Sequence, residues 1–300
     1  MNLRQLEYLG ALAREQHFGR AAAACHVSQP ALSTAIAKLE GELGLELVHR
    51  GGRAATLTAE GRALLPWARG AVAQAAALTS EAGRLRAELT GVLRLGVIPT
   101  ASAAVSSVLG PLLRAHPGVR AEVRTLTAER IADGLRAHEL DAGLAYVDEQ
   151  RAGLTATRLY RERLVLVAGA GRLADVAGPV PWSRVADEPL CLLAPGMQHR
   201  RVVDEALARA GVDVRPRVEA DGFGVLLDLA RDGWSTVVGD TWLAGRALPA
   251  DVRAVPLVRP AVAPWVGLLT DDGPTPTPLV AALRSSLRGV DVAAALRGPR

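Results

Sequence analysis

Hydrophobic and polar positions divide the chain into three stretches with different periods. Over the first stretch apolar residues recur every three or four positions, as on one face of a helix. Leu3, Leu6, Leu9, Leu12 and Ala13 mark such a face on a helix from Asn2 to Glu15, and Leu32, Ile36, Leu39 and Leu43 mark another. Between them Gly19 to Cys25 is short and Ala-rich, His26 and Val27 read as a tight turn, and Ser28 is a good N-cap with Pro30 in the first turn after it. Two helices joined this closely form a helix-turn-helix. Leu47 to Arg50 and Ala54 to Leu57 then read as two short strands around Gly51-Gly52, a dipeptide suited to a two-residue hairpin turn, and so as a wing.

The second stretch is a single helix, capped by Thr58 and predicted to run to about Leu89. Leu64, Leu65, Ala68, Val72, Ala75, Ala76, Leu78 and Leu85 give it one apolar side rich in small residues. A helix this long and exposed is expected to pair with its twin from a second copy, the alternative being a connector lying on its own domain. From Gly91 the pattern changes to alternating strands and helices: strands at 93–98, 119–126 and 141–147, helices at 101–115 and 129–137. This predicts an α/β sandwich with a parallel sheet. A second such run has strands at 163–168, 190–193 and 235–238 and helices at 198–210 and 223–232, before a last strand at 266–269 and a helix at 279–287. Two α/β lobes are expected.

Three hundred residues suit two or three compact units, and 49% hydrophobic with 22% charged residues suits a globular protein. Net charge +4 permits a polyanionic partner, but residues 1–58 hold six basic and five acidic side chains, so the case for DNA rests on the motif. The N-terminus lacks the basic-then-apolar order of a secretory signal and no apolar run reaches about 18 residues, which predicts a cytoplasmic protein without a membrane span. Cys25 and Cys191 lie in different predicted units and are read as buried thiols. Six scattered histidines, with no Cys-x-x-Cys, His-Glu-x-x-His or Gly-rich phosphate loop, suggest no catalytic site, metal or cofactor.

Around the turn the sequence reads FGRAAAACHVSQPALSTAIAKLE. With the amphipathic first helix, the Leu39-Glu40 and Leu43-Gly44 pairs, Arg50, and Leu57-Thr58 with Gly61, this stretch resembles the LysR-type transcriptional regulators over about sixty positions. Two positions depart from the pattern: Thr34 stands where Arg is common and Val48 where Phe usually anchors the wing. The resemblance implies an N-terminal winged helix-turn-helix (1–58), a linker and dimerisation helix (59–90), and a two-lobed α/β effector domain like periplasmic binding proteins (91–300). It places the crossing into the second lobe near residue 161 and the return near 266, giving lobe I as 91–161 with 266–300 and lobe II as 162–265. A homodimer or homotetramer on double-stranded promoter DNA follows from it. Ser28, Gln29, Pro30, Ser33, Thr34 and Lys38, on the face away from the leucines, would meet the major groove. Arg50 and Arg53 would reach phosphates from the wing, or be solvated surface arginines.

Ligands of open α/β sheets gather at strand carboxyl ends and helix N-termini. That rule nominates Thr100 and Ser102, Thr127, then Met197, Gln198 and His199, and Phe223. The buried stripe of the 198–210 helix places His199 with Arg200 toward the mouth of a cleft. The donors suit a small anionic effector such as a carboxylate. In the plainer reading the hydroxyls are helix caps, His199 and Arg200 face water, and Phe223 is core. Some family members sense peroxide with a cysteine pair in the regulatory part, and this chain has only Cys191 there. A rival class is a small-molecule-binding or enzymatic α/β module with an accessory helix-turn-helix.

Overall fold

The computed structural model describes residues 1–49, 55–85, 89–147, 151–244, 246–273 and 275–297. Its head begins with α1 (Leu3–Glu15), whose N-cap Asn2 and Gln5 form a reciprocal capping box. In α2 (Phe18–Ala24) the His17 ring accepts the amides of Gly19 and Arg20, so this helix starts one residue earlier than expected. His26, at φ +54°, turns the chain into α3 (Gln29–Leu43), where Ser28 Oγ accepts the Ala31 amide at 3.3 Å. Leu6, Leu9, Leu12, Leu32, Ile36 and Leu39 meet in one core. Leu3 and Leu43 do not join it. They are 44% and 40% exposed, because each sits in a terminal turn beyond the reach of the other two helices.

The wing pairs β1 (Val48–His49) with β2 (Thr56–Leu57), antiparallel. Glu40 Oε1 holds its entry by accepting the amides of Leu47 and Val48. Arg50 and Arg53 lie outside the described residues. Thr58 Oγ1 then accepts the Gly61 amide at 2.9 Å and opens α4 (Ala59–Leu85). A Cβ on Gly61 would lie 2.1 Å from the Leu47 carbonyl, so helix and wing touch backbone to backbone there.

The helix is described as far as Leu85, and Leu89 is buried in the core of the unit that follows. It differs from expectation in that its leucine side has a partner in its own chain: Leu64, Leu65, Ala68 and Val72 pack on the head's core. What stays exposed is a different stripe, Trp67 (79%), Leu78 (74%) and Leu85 (74%), with Ala71 and Ala82 between them.

Lobe I starts with β3 (Gly91–Val97), a 3-10 turn over Pro99–Ala104, α5 (Val105–Ala115), β4 (Val119–Thr125), α6 (Ala128–Arg136), β5 (Ala142–Tyr146) and β6 (Leu154–Arg161). Lobe II takes β7 (Leu164–Gly169), β8 (Val180–Pro181), β9 (Cys191–Leu193), α7 (Gln198–Arg209), β10 (Val218–Ala220), α8 (Phe223–Arg231), β11 (Ser235–Gly239), α9 (Asp240–Leu243) and β12 (Val252–Val258). The chain returns to lobe I in β13 (Trp265–Asp271), α10 (Pro278–Ser286) and α11 (Val292–Arg297).

The lobe I sheet runs β4-β3-β5-β13-β6 and is mixed, where a parallel sheet was expected. Its first three strands are parallel, but the strand that leaves for lobe II and the strand that returns pair antiparallel with each other, and the returning one pairs antiparallel with β5. Lobe II holds the sheet β11-β7-β12-β8, antiparallel on both sides of β7, and the parallel pair β9–β10. Each lobe has its own apolar core.

Candidate functional site

On the head, burial of Leu32, Ile36 and Leu39 leaves Gln29, Pro30, Thr34, Ala37 and Lys38 exposed and Ser33 half-buried on the opposite face of α3. These are short or hydrogen-bonding side chains on a protruding helix, the geometry that enters a major groove. Ser28 is exposed too, but its hydroxyl already caps the helix.

The second site is the seam where lobe II meets lobe I. Its centre is a buried polar cluster drawn from both lobes and from the chain that crosses between them. Tyr146 closes β5 in lobe I, Glu162 follows β6 in the crossing, His199 lies in the first turn of α7 and Thr241 in α9. Tyr146, Glu162 and His199 are all at most 3% exposed. The Tyr146 hydroxyl bonds Glu162 Oε2 and lies 3.0 Å from His199 Nδ1, while Thr241 Oγ1 donates to Glu162 Oε1 at 2.5 Å. His199 Nε2 is 3.1 Å from the Val237 carbonyl, so that nitrogen carries the proton and Nδ1 of a neutral ring must accept. A Cβ on Gly239 would fall 2.2 Å from the Glu162 carboxyl, so only glycine leaves that side chain room.

Burial sets the charge state. It raises the Glu162 carboxyl to about 7 against the lowering effect of the Thr241 and Tyr146 hydroxyls, and it lowers His199 to about 4. It also drives the Tyr146 phenol well above its ordinary range. The Tyr146 hydroxyl donates to Glu162 when the carboxyl is ionised; a protonated Glu162 can instead donate to the Tyr146 oxygen, which frees Tyr146 to donate to His199 Nδ1 while His199 Nε2–H donates to the Val237 carbonyl. If Glu162 loses its proton, Tyr146 must donate to the carboxylate, and the lone pair of His199 Nδ1 then faces an oxygen without a donor. Burial and this geometry favour the protonated carboxyl, so the cluster is neutral below about pH 7 and releases the Glu162 proton above it.

Two further contacts cross the seam. The Gln198 amide pairs with the backbone of Tyr146, accepting from its N at 3.3 Å and donating to its O at 3.4 Å, and Arg201 on α7 pairs with Glu129 on α6 at 2.6 Å. The start of α7 thus docks on the ends of β5 and α6.

The residues nominated from sequence divide accordingly. Thr100, Gln198 and His199 come together at the seam, where the buried Thr100 hydroxyl lies against Tyr146 and Glu162 and lowers the pKa of both. Ser102 donates to the Pro99 carbonyl and Thr127 accepts the Arg130 amide. Met197 and Phe223 belong to a lobe II core, with Phe223 edge-on to His199 at 5.1 Å. The placing of His199 and Arg200 at a cleft mouth is corrected. His199 faces inward because the 198–210 helix presses its first turn on lobe I, and Arg200 is held by Asp204, Glu219 and the Leu193 carbonyl. Tyr146, Glu162 and Thr241 went unnominated. The one sequence signal for them is a carboxylate just ahead of an apolar strand, Glu162 before Arg163 and the run Leu164 to Ala168.

Neither cysteine is poised for thiolate chemistry. Cys191 is buried in β9, its thiol pushed up to about 11, and burial raises Cys25 as well. Among the described residues no group of three or more potential ligands could hold a metal ion, and no helix is long and apolar enough to cross a membrane.

Comparison with known proteins bears on both sites. Residues 3–62 match the model of the bacterial regulatory helix-turn-helix proteins of the lysR family, and residues 86–291 match the LysR substrate binding domain. The regulator IlvR of Caulobacter vibrioides is 35% identical over 87% of this chain and 90% of its own length. A probable hydrogen peroxide-inducible genes activator of Streptomyces viridosporus is 31% identical over 97% of this chain and 96% of its own. Among solved structures, a full-length OxyR variant from Pseudomonas aeruginosa superposes with a TM-score of 0.79 at 26% identity, covering 97% of this chain and 96% of that one. CbnR in complex with its target DNA shares the fold, with a TM-score of 0.70 at 22% identity over 96% of this chain and 99% of that one. With both of its parts matched over most of the chain, this protein belongs to the LysR family of bacterial helix-turn-helix transcriptional regulators.

Proposed function

We propose that the chain binds double-stranded promoter DNA through α3 and answers to a small anionic effector, such as a carboxylate, held at the seam between the lobes. The head would be residues 1–58, the linker 59–90 and the sensor 91–300, acting in the cytoplasm as a homodimer or homotetramer. Groove contacts would come from Gln29, Pro30, Ser33, Thr34 and Lys38, with Arg50 and Arg53 reaching phosphates. The observation that carries the sensor half of this reading is the seam itself. Polar groups from two lobes converge there, the buried Thr100 hydroxyl beside Tyr146 and Glu162 among them, and an anion could draw on that donor. Gln198 is the natural second contact, since its amide can exchange the Tyr146 backbone for a ligand.

An effector bound between Thr100 and the start of α7 bears on both lobes, so it stabilises one interlobe geometry over others. That shift would change the spacing or bend of the DNA held by paired heads. Copies would pair along the exposed stripe of Trp67, Leu78 and Leu85, because a stripe of that size stays open to water after the helix has packed on its own head. Peroxide sensing, named for several relatives, is not carried over: one buried Cys191 in the sensor, with a raised thiol pKa, offers neither a reactive thiolate nor a second thiol to resolve it.

Sequencing the DNA that co-purifies with the protein identifies the promoter and, from neighbouring genes, the metabolites to try. Calorimetry with those carboxylates then tests the site. Thr100→Val should weaken binding by about 1.5 to 3 kcal/mol, the worth of a hydrogen bond to a charged group, and leave DNA binding without effector unchanged. Wild-type affinity in Thr100→Val would remove this site.

A further inference from the structure

Glu162 stands at the hinge of the sensor as well as in its seam. It follows β6 of lobe I and precedes β7 of lobe II by one residue, and its amide donates to the Pro264 carbonyl at 3.0 Å, which ties the outgoing crossing to the returning one. Any rotation of one lobe against the other turns about these two crossings. The Glu162 carboxyl lies inside the contact that such a rotation would part.

The groups that face it come from both lobes. Lobe I brings Tyr146 from β5, Tyr160 from β6 and Thr100 from the turn after β3, and lobe II brings His199 from α7, Asp240 and Thr241 from α9 and the Gly239 backbone. Asp240 is a like charge, and Arg163 answers it rather than Glu162, through its backbone amide at 2.9 Å and its Nε at 3.3 Å. His199 Nδ1, 4.0 Å from Glu162 Oε2, belongs to a ring that burial keeps neutral. Among the described residues an ionised Glu162 would thus be a fully buried charge with hydroxyls against it and no cation.

Loss of the proton acts twice on the seam. It draws the Tyr146 hydrogen to the carboxylate and so removes the bond from Tyr146 of lobe I to His199 of lobe II. It also leaves a charge that water reaches only when the lobes part. The other ties across the seam are modest: the Gln198 amide at 3.3 and 3.4 Å from the Tyr146 backbone, and the Arg201–Glu129 ion pair, whose side chains are each 48% exposed.

We propose that Glu162 is a proton-operated catch on the interlobe hinge, holding the lobes shut while its carboxyl is protonated and letting them open when it is ionised. The proton is then a second input to the geometry that an effector would select, and it acts with no effector bound. The shut form binds this proton more tightly. Its advantage is complete below the ordinary 4.5 and is given up as pH rises through about 7, which shifts the balance toward the open form by about tenfold between pH 6 and pH 8 if opening restores the ordinary value.

Hydrogen exchange of the full-length protein, resolved to the Tyr146 amide, reads the opening, because that amide bonds Gln198 Oε1 from the other lobe. Glu162→Gln measured at the same pH cancels the intrinsic pH dependence of exchange. The ratio of wild-type to variant rate should rise at least threefold, and up to about tenfold, between pH 6 and pH 8, with the Tyr146 amide exchanging faster than the core amides of β3 and β7 throughout. A smaller rise would overturn the proposal. So would a rise in which the Tyr146 amide exchanges no faster than those core amides, since that is unfolding of the sensor and not opening of the seam. Should Glu162→Gln fail to fold, the wild type alone decides, from its Tyr146 rate divided by the intrinsic rate at each pH, with the same thresholds.

Discussion

Replacing Glu162 by Gln keeps the shape of the side chain, and its amide can donate to the Tyr146 oxygen as the protonated acid does. The variant should therefore fold, but it cannot titrate. In the wild type the folded chain holds the Glu162 proton up to about pH 7, whereas the unfolded chain releases it near the ordinary 4.5. The stability that comes from keeping this acid neutral is thus complete below pH 4.5 and is lost as pH rises through 7. A difference of 2.5 units at about 1.36 kcal/mol each gives about 3 kcal/mol. His199 works with the opposite sign, its contribution being present above its ordinary 6.5 and lost as pH falls toward 4; both proteins carry it, and because it shares the network with Glu162 the difference between them includes any change that the substitution makes to it. Calorimetric unfolding of both full-length proteins between pH 4.5 and 7 measures the difference. Relative to Glu162→Gln, the wild-type sensor transition should fall by roughly 6 to 12 °C over that range, at about 2 to 4 °C per kcal/mol for a unit of this size. A constant difference across the range would refute a neutral buried Glu162 and the proton arrangement drawn from it.

Gly239→Ala should cost about 1 to 3 kcal/mol through overpacking on the Glu162 carboxyl, and combining it with Glu162→Ala should recover most of that loss; additive losses in unfolding experiments would place the clash elsewhere. Trp67→Glu with Leu78→Glu should give monomers by sedimentation at micromolar concentration with the fold intact, whereas Leu65→Glu should destabilise the head that this residue packs on. A dimer that survives the first pair would point to another interface.

The head was legible in the sequence because its helices are short, capped by recognisable residues and patterned on one face. Ser28 and Pro30 mark the start of α3 as clearly in the sequence as in the structure. Periodicity could not say how far a stripe is covered: Leu65 and Val72 read as a bare seam, yet the head bends back on them and leaves Trp67 and Leu78 exposed. Strands β6 and β12 passed unseen. One is an edge strand that is exposed from Thr155 to Arg158 and buries only Tyr160, and the other carries Pro256, which lacks a ladder donor and argues locally against a strand. The seam was half visible. Helix starts nominated Thr100, Gln198 and His199, but a rule about helix N-termini cannot show that a helix is pressed inward, so the neutral His199 and its partners Tyr146 and Glu162 emerge only from the packing.

The central claim, that α3 reads promoter DNA, is tested most directly by footprinting the full-length protein on the promoter recovered with it, wild type against Ser33→Arg. Ser33 is half-buried at the edge of the exposed face, so a long charged side chain there should keep the fold and abolish the protected segment at concentrations where the wild type protects it fully. The same protected segment in Ser33→Arg, at the same concentration, would contradict the assignment of α3 as the recognition helix.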